Sequence, residues 1–352
     1  MAYAATQCVD DAIEATKAFL TPVDRGRWLR MAAIVFFLSI GAGAGAVPNL
    51  GGQLSFGSDL TVWEPSEEVV ITDLSQVPDS VWLALAALAL AAVVLVLVFG
   101  ILGAIMEFVL VEAIRRETAR VREPFRRHLR DGLSLFAFQA LLFLLLLGLP
   151  VGGYVLFVLW PAVAAGASIG AIVGLVALLL VLVLVFGLLA ALANGFTVEF
   201  VVPVMVKREV GLVAGWRRFW PVLRGNLAEF AVYVALRWAI AIAVSFVAGT
   251  ATGILATVVG IPFFLFVGGL FLGTGGALIP STIAVYVVLI VVFVLVVVAL
   301  GTAVQVPLQT FTRYYQLFVL GDVAPEFDLV SERREAVRTS EFETNEGDES
   351  AA

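Results

Sequence analysis

The sequence predicts an all-α fold, a polytopic membrane helix bundle of about six transmembrane helices built as three tandem hairpin repeats, with both termini cytoplasmic. Three observations predict it. The 352 residues are 61% hydrophobic and only 14% charged, with a mean hydropathy of +1.05, whereas soluble domains carry about a quarter charged residues. Several apolar runs exceed the ~20 residues needed to cross a ~30 Å hydrocarbon core, and they lack the strict alternation of barrel strands. Of the 21 Lys and Arg residues, 20 fall in four blocks.

Those blocks are Lys17–Arg30, Arg115–Arg130, Lys207–Arg224 and Arg313–Arg338, with Arg237 the exception. Cytoplasmic flanks of membrane helices are enriched in Lys and Arg, so all four blocks are expected inside, which makes the number of crossings even. Six helices satisfy this: Trp28–Val47, Val81–Leu110, Leu133–Leu149, Gly174–Phe200, Leu227–Ala248 and Ser281–Val306. The first reads as a helix rather than a signal peptide, because a long and partly acidic stretch precedes its apolar part, Met31–Ile40. Pro48–Ser80 is expected outside, since Asp59–Asp79 holds six acids and no base. Pro150–Ser168 and Gly249–Pro280 are apolar but interrupted by Gly and Pro. Each is open to three readings: re-entrant half-helices, an outer cap, or a spanning segment.

The flanks complete the organisation. Residues 1–27 form a cytoplasmic amphipathic N-terminus, with Ile13, Thr16, Phe19 and Leu20 expected on one side of a helix over Val9–Leu20. Residues 28–320 form one transmembrane domain. Residues 321–352 are expected as an acidic, largely disordered cytoplasmic tail, disordered past Arg338; ten acids lie between Asp322 and Glu349.

The hairpin repeats, about 28–117, 129–209 and 223–315, share two patterns. Each opens on Leu-Arg with Phe six residues after the Arg: Leu29-Arg30 and Phe36, Leu129-Arg130 and Phe136, Leu223-Arg224 and Phe230. The first two close on Gly103, Glu107, Phe108, Arg115-Arg116-Glu117 and on Gly195, Glu199, Phe200, Lys207-Arg208-Glu209 at identical offsets, and the third more loosely on Gly301, Gln305 and Arg313. Three hairpins of one orientation imply a pseudo-threefold arrangement about the membrane normal.

The repeats nominate a polar ring of Glu107, Glu199 and Gln305, about 12 Å inside the basic cluster at ~1.5 Å per residue. Functionally it would be a cation or proton site near the cytoplasmic mouth of a pathway. Structurally each residue would tie a helix end to a basic neighbour, with Arg30, Arg130 and Arg224 as expected partners. The intramembrane charge Arg237 is expected to snorkel, to pair with Glu199 or Glu229, or to bind an anion. Pro203 and Pro307 are expected to break or kink their helices. Trp216, Arg217, Arg218, Trp220 and Arg224 form an interfacial basic-aromatic segment suited to anionic headgroups.

No catalytic set, metal site or cofactor is predicted. Cys8 is the one cysteine and His128 the one histidine, and no phosphate loop, His-Glu-x-x-His or nucleophile elbow occurs. Nucleic-acid binding is not expected, because the arginine clusters read as topology.

Arginine outnumbers lysine 19 to 2 in an acidic, Ala/Val/Gly-rich chain, a balance that resembles halophilic archaeal proteins. Four further stretches point the same way: Glu199-Phe-Val-Val-Pro-Val-Met-Val-Lys-Arg-Glu, Phe311-Thr-Arg-Tyr-Tyr-Gln-Leu-Phe-Val-Leu-Gly-Asp, Asp24-Arg-Gly-Arg-Trp-Leu-Arg and Trp216–Arg224. From Val9 to about Val330 the chain resembles uncharacterised haloarchaeal multi-pass membrane proteins. These are similar to the membrane domain of glycerophosphoryl diester phosphodiesterases and to six-helix bacterial inner-membrane proteins. The resemblance implies fold and no chemistry, because those enzymes act through a separate soluble barrel.

The expected function is therefore a non-enzymatic protein of the cytoplasmic membrane, an accessory, scaffold or lipid-organising component whose partners are membrane lipids and a protein partner or second copy. A permease or channel built on the polar ring is the alternative.

Overall fold

The computed structural model describes residues 4–41, 79–118, 120–273 and 280–339. Most of the acidic loop Pro48–Ser80, the end of the expected first helix after residue 41 and the tail after residue 339 lie outside the described residues. The helices are α1 (Ala4–Leu20), α2 (Arg25–Gly41), α3 (Asp79–Arg115), α4 (Arg122–Arg127), α5 (Leu129–Ala164), α6 (Ile169–Arg208), α7 (Leu212–Gly225), α8 (Leu227–Gly273), α9 (Pro280–Val323) and α10 (331–339). Among the described residues there is no strand.

Five of these, α3, α5, α6, α8 and α9, are long and apolar enough to cross a membrane. All run past their expected ends. The two Gly/Pro-interrupted segments are continuous helical extensions among the described residues, not pairs of half-helices: Pro150–Ala164 completes α5, and Gly249–Gly273 completes the 47 residues of α8. The physical reason is that lipid leaves a backbone no solvent partner, so the intrahelical bond outweighs the poor propensity of Gly and Pro. Gly166, with φ +73°, makes the α5–α6 turn, and Ser168 caps α6 by accepting from the Ala171 N–H at 3.3 Å.

Three prolines are absorbed by wide π turns. Leu144–Gly148, Val155–Leu159 and Thr197–Val201 each end two residues before a proline, namely Pro150, Pro161 and Pro203. Proline brings no N–H and crowds the carbonyl four residues back, and widening the preceding turn relieves both. Pro203 therefore does not end α6, and Pro307 likewise lies inside α9.

The core sits at one end of the bundle. The ends of α3, α6 and α9 and the starts of α5 and α8 enclose Phe108, Leu135, Phe200, Phe219, Phe230 and Phe318, all buried. α1 packs on α9 and α8, and α2 on α3 and α9. The buried face of α1 is Cys8, Ala12, Ala15 and Phe19, at helical spacing, whereas Ile13 is turned out to solvent. Beyond this core the helices expose apolar side chains on nearly all sides, including Val81–Val98 of α3, Ile169–Leu189 of α6 and Ile283–Val296 of α9.

Ion pairs gather the basic blocks at the core end. Arg127 pairs with Glu209, Arg208 with Glu326 at 3.7 Å, Arg333 with Glu117 at 2.7 Å, and Arg338 with Asp11 at 2.8 Å. The tail boundary drawn at 321 is corrected accordingly. Phe327, Leu329, Val330 and Val337 are buried, so residues through 339 belong to the folded core.

Candidate functional site

The three ring residues lie in the core and are buried. Glu107 and Glu199 are positioned by the closing ends of α3 and α6, each followed by a buried Phe-Val pair, whereas Gln305 lies within α9 before Val306 and Pro307. Phe200 stacks on Phe219 at 5.4 Å and meets Phe230 and Tyr233 edge-on, joining α6 to α7 and α8. Tyr233 in turn stacks on Tyr315 of α9 at 5.7 Å.

One of the two ion pairs is an expected one, Arg237 with Glu199, whereas the partner of Glu107 differs from those expected. Glu107 pairs with Arg313, whose other nitrogen donates to the Val198 carbonyl at 3.1 Å, so one guanidinium ties α3, α6 and α9. Glu199 pairs with Arg237 and accepts from the Tyr233 hydroxyl at 2.8 Å. Among the described residues Arg130 and Arg224 form no ion pair with these carboxylates, and Arg224 lies over the Trp220 ring at 4.7 Å. For Glu107 the difference is one of reach: the arginines expected beside it open the neighbouring helices, whereas Arg313 points along a seam into the core.

Gln305 is 1% exposed, and neither polar atom of its amide bonds a protein group among the described residues. Two carboxylates and two guanidiniums leave this cluster with no net charge. Gly195 packs beside it: a Cβ there would make ordinary contact, 3.5 Å, with both terminal nitrogens of Arg237.

The matched offsets carry into the backbone. Glu117 and Glu209 both adopt left-handed φ, at 52° and 51°. Thr118 then donates to the Ala113 carbonyl at 3.1 Å and Val210 to the Met205 carbonyl at 3.3 Å, the same helix-ending motif at equal positions. Arg313, which matches Arg115 and Lys207 in offset, is followed by ten more helical residues in α9, so the helix runs through the matching position.

The basic-aromatic segment is α7. Gly215, Leu212 and Phe219 face inward, and a Cβ on Gly215 would fall 2.9 Å from Val201. Trp216 is half-buried. Val213, Arg217, Trp220 and Arg224, with Arg218 beside them, form the exposed stripe at helical spacing.

Two features were missed from sequence. A clamp joins α1, α9 and α10: Arg338 bonds Asp11 and Asp322, Arg334 bonds Asp322 and Asp328, and the Cys8 thiol donates to Asp322 at 3.3 Å. Burial, and then the Asp322 charge beside it, push the Cys8 thiol well above its usual range. A raised folded-state value means this contribution to stability is whole below about pH 8.5, where the unfolded thiol is also protonated, and is lost as pH rises further. We expect a maleimide at pH 7.5 to leave folded protein unlabelled and to modify the Arg338→Ala variant, whose α10 is released. Labelling of the unaltered protein at the rate of a free thiol would show the clamp to be open.

The second is a cleft of about 960 Å³ between α3, α5 and α6, lined by Leu97, Phe99, Leu144, Gly148, Gly187 and other apolar residues. Gln139 and Asn194 line it too, and the Gln139 amide donates to the Asn194 side-chain carbonyl at 3.0 Å.

A buried core at one end, five spanning-length helices and a neutralised polar cluster define a polytopic helical protein of membrane type. The chain belongs to the family of unknown function DUF7544, whose model matches residues 3–330. No curated protein and no solved structure matches it.

Proposed function

We propose that this is a six-crossing, non-enzymatic protein of the cytoplasmic membrane, built of three hairpin repeats with both termini inside, that acts as an accessory or lipid-organising component. The observation that carries this reading is the pairing of Glu107 and Glu199 with buried guanidiniums inside the core. Carboxylates already balanced in this way hold helices together and have no charge left for a translocated cation. Depth supports the same reading. Val98, Leu189 and Val296 are the last or first strongly exposed large apolar residues on the core side of α3, α6 and α9. The ring residues lie nine or ten positions further toward the basic end, about 13–15 Å at ~1.5 Å per residue. On these three helices the exposed belt ends short of the ring, which lies in the protein core. The α7 stripe of Arg217, Trp220 and Arg224 then faces headgroups.

The test is purification in high salt followed by native mass spectrometry. We expect anionic lipid or a stoichiometric partner protein to be retained, and to be lost on combined Arg217→Gln, Arg218→Gln and Arg224→Gln substitution. A bare protein that retains only a small ion would overturn this reading in favour of a permease or channel.

A further inference from the structure

We infer that the cleft between α3, α5 and α6 is a binding site for one glycerolipid, with an acyl or isoprenoid chain along the cleft and the glycerol oxygens at the Gln139–Asn194 pair. The inference rests on the membrane-embedded reading above and adds a specific site to it.

Four observations carry it. The cleft is apolar along its length, and its α5 wall, Phe136 to Gly148, runs about 18 Å at ~1.5 Å per residue. That is a length for a chain, not for a compact solute. Its walls are held apart by the bundle itself: α5 crosses α3 tightly at Gly132, against Ile105, and Phe136 seats on Gly100, where a Cβ would stand only 2.7 Å from the ring. The helices then diverge, and the π turn Leu144–Gly148 lines the widened part.

The amide pair gives the cleft a direction. Gln139 and Asn194 lie at its core-side end, Gln139 one turn from Phe136, which seats on Gly100, and Asn194 past Leu189, the last strongly exposed large apolar residue of α6. That is the depth at which hydrocarbon gives way to the oxygens of a lipid backbone. The bond between the two side chains uses one amide hydrogen and one carbonyl. The Gln139 carbonyl and the Asn194 NH₂ make no hydrogen bond to protein among the described residues. An acceptor beside two donors complements a hydroxyl next to an ester, ether or phosphate oxygen. Amides left toward bare lipid tails at this depth would be costly, so a polar lipid backbone is the fitting neighbour.

Gly187 supplies the means to test the site. It lines the cleft, and a Cβ there meets nothing within 4 Å, so a larger side chain enters the cleft without striking the helices. The full chain is reconstituted in phosphatidylcholine–phosphatidylglycerol vesicles with a trace of phosphatidylglycerol carrying a diazirine in one acyl chain. After irradiation, adducts are mapped by peptide mass spectrometry. We expect adducts to concentrate on the peptides holding Leu97, Leu144 and Gly187, above the level on the exposed α8–α9 face, and to fall to that level in Gly187→Phe. Adducts spread evenly over all exposed apolar faces of the unaltered protein would overturn the inference, whether or not the variant folds. So would unchanged cleft labelling in a folded Gly187→Phe protein. Loss of lipid on the α7 substitutions with intact cleft labelling, or the reverse, separates the failure of one reading from the failure of the other.

Discussion

Arg313→Ala is expected to be among the most damaging single substitutions in the chain. The Arg313 side chain is 6% exposed and the Glu107 side chain 7%. Truncating the arginine leaves a carboxylate in the core with no cation, and strips the Val198 carbonyl of its donor. Breaking one side of a buried pair costs about 3–5 kcal/mol, a large share of the ~5–15 kcal/mol that holds a typical domain folded. The variant should therefore accumulate poorly, or lose its monodisperse elution peak at much lower temperature than the parent. Arg313→Lys should recover only part of the loss, because one ammonium replaces a fork that reaches two acceptors on different helices. The decisive comparison is the double variant Glu107→Leu with Arg313→Met. If the pair is structural, removing both charges together should be far milder than removing either. If both charges act in transport, the double variant should fold but lose whatever flux the parent has. An Arg313→Ala protein as heat-stable as the parent would remove the ion pair from any account of the core.

The sequence announced that the basic blocks belong together, and in the fold they do share one end. Arg127–Glu209, Arg208–Glu326 and Arg333–Glu117 join blocks separated by dozens to hundreds of residues. Charge segregation is readable because it reflects a solvent boundary that every helix must obey. Glu107, Glu199 and Gln305 were readable for a related reason: equal offsets from a basic cluster mean equal height in a bundle. Arg237 was readable as a partner of Glu199, but Arg313 was not as the partner of Glu107, because height does not say which seam a guanidinium enters. Arg313 lies 206 residues from Glu107. The extended α5 and α8 were missed because Gly and Pro were weighed as breakers, a weight that belongs to helices in water. The three π turns show how the chain accommodates proline without ending a helix. The clamp around Asp322 hid in an acidic run that reads as a solvated tail. Phe327, Leu329, Val330 and Val337 are the apolar residues that could have signalled it, since their burial fixes α10 and brings Arg334 and Arg338 onto the carboxylates.

Gly132→Leu is expected to separate α3 from α5, and even Gly132→Ala should be felt. A Cβ on Gly132 would lie 2.5 Å from Ile105 Cγ1, 2.7 Å from Ile105 Cα and 3.0 Å from Ile105 N. The first contact could be relieved by a rotamer change, but the other two are backbone, so relief requires the helix axes to move apart. Overpacking of a tight core contact costs about 1–3 kcal/mol, and occasionally more. The damage should also travel. Ile105 is two residues before Glu107, and a displaced α3 carries that carboxylate away from Arg313. For this reason Ile105→Ala should restore little of the loss in Gly132→Ala, although it removes the nearest atom. Gly187→Ala is the control: it lies in α6 with no atom within 4 Å of its Cβ, and should be neutral or more stable by up to about 1 kcal/mol through helix propensity. Thermal midpoints of the two alanine variants, measured side by side in one detergent, decide the matter. A clear drop for Gly132→Ala alone places the α3–α5 crossing where the ring and the cleft both need it. Equal midpoints would mean that the helices do not meet at Gly132, and the cleft would lose the wall on which its shape depends.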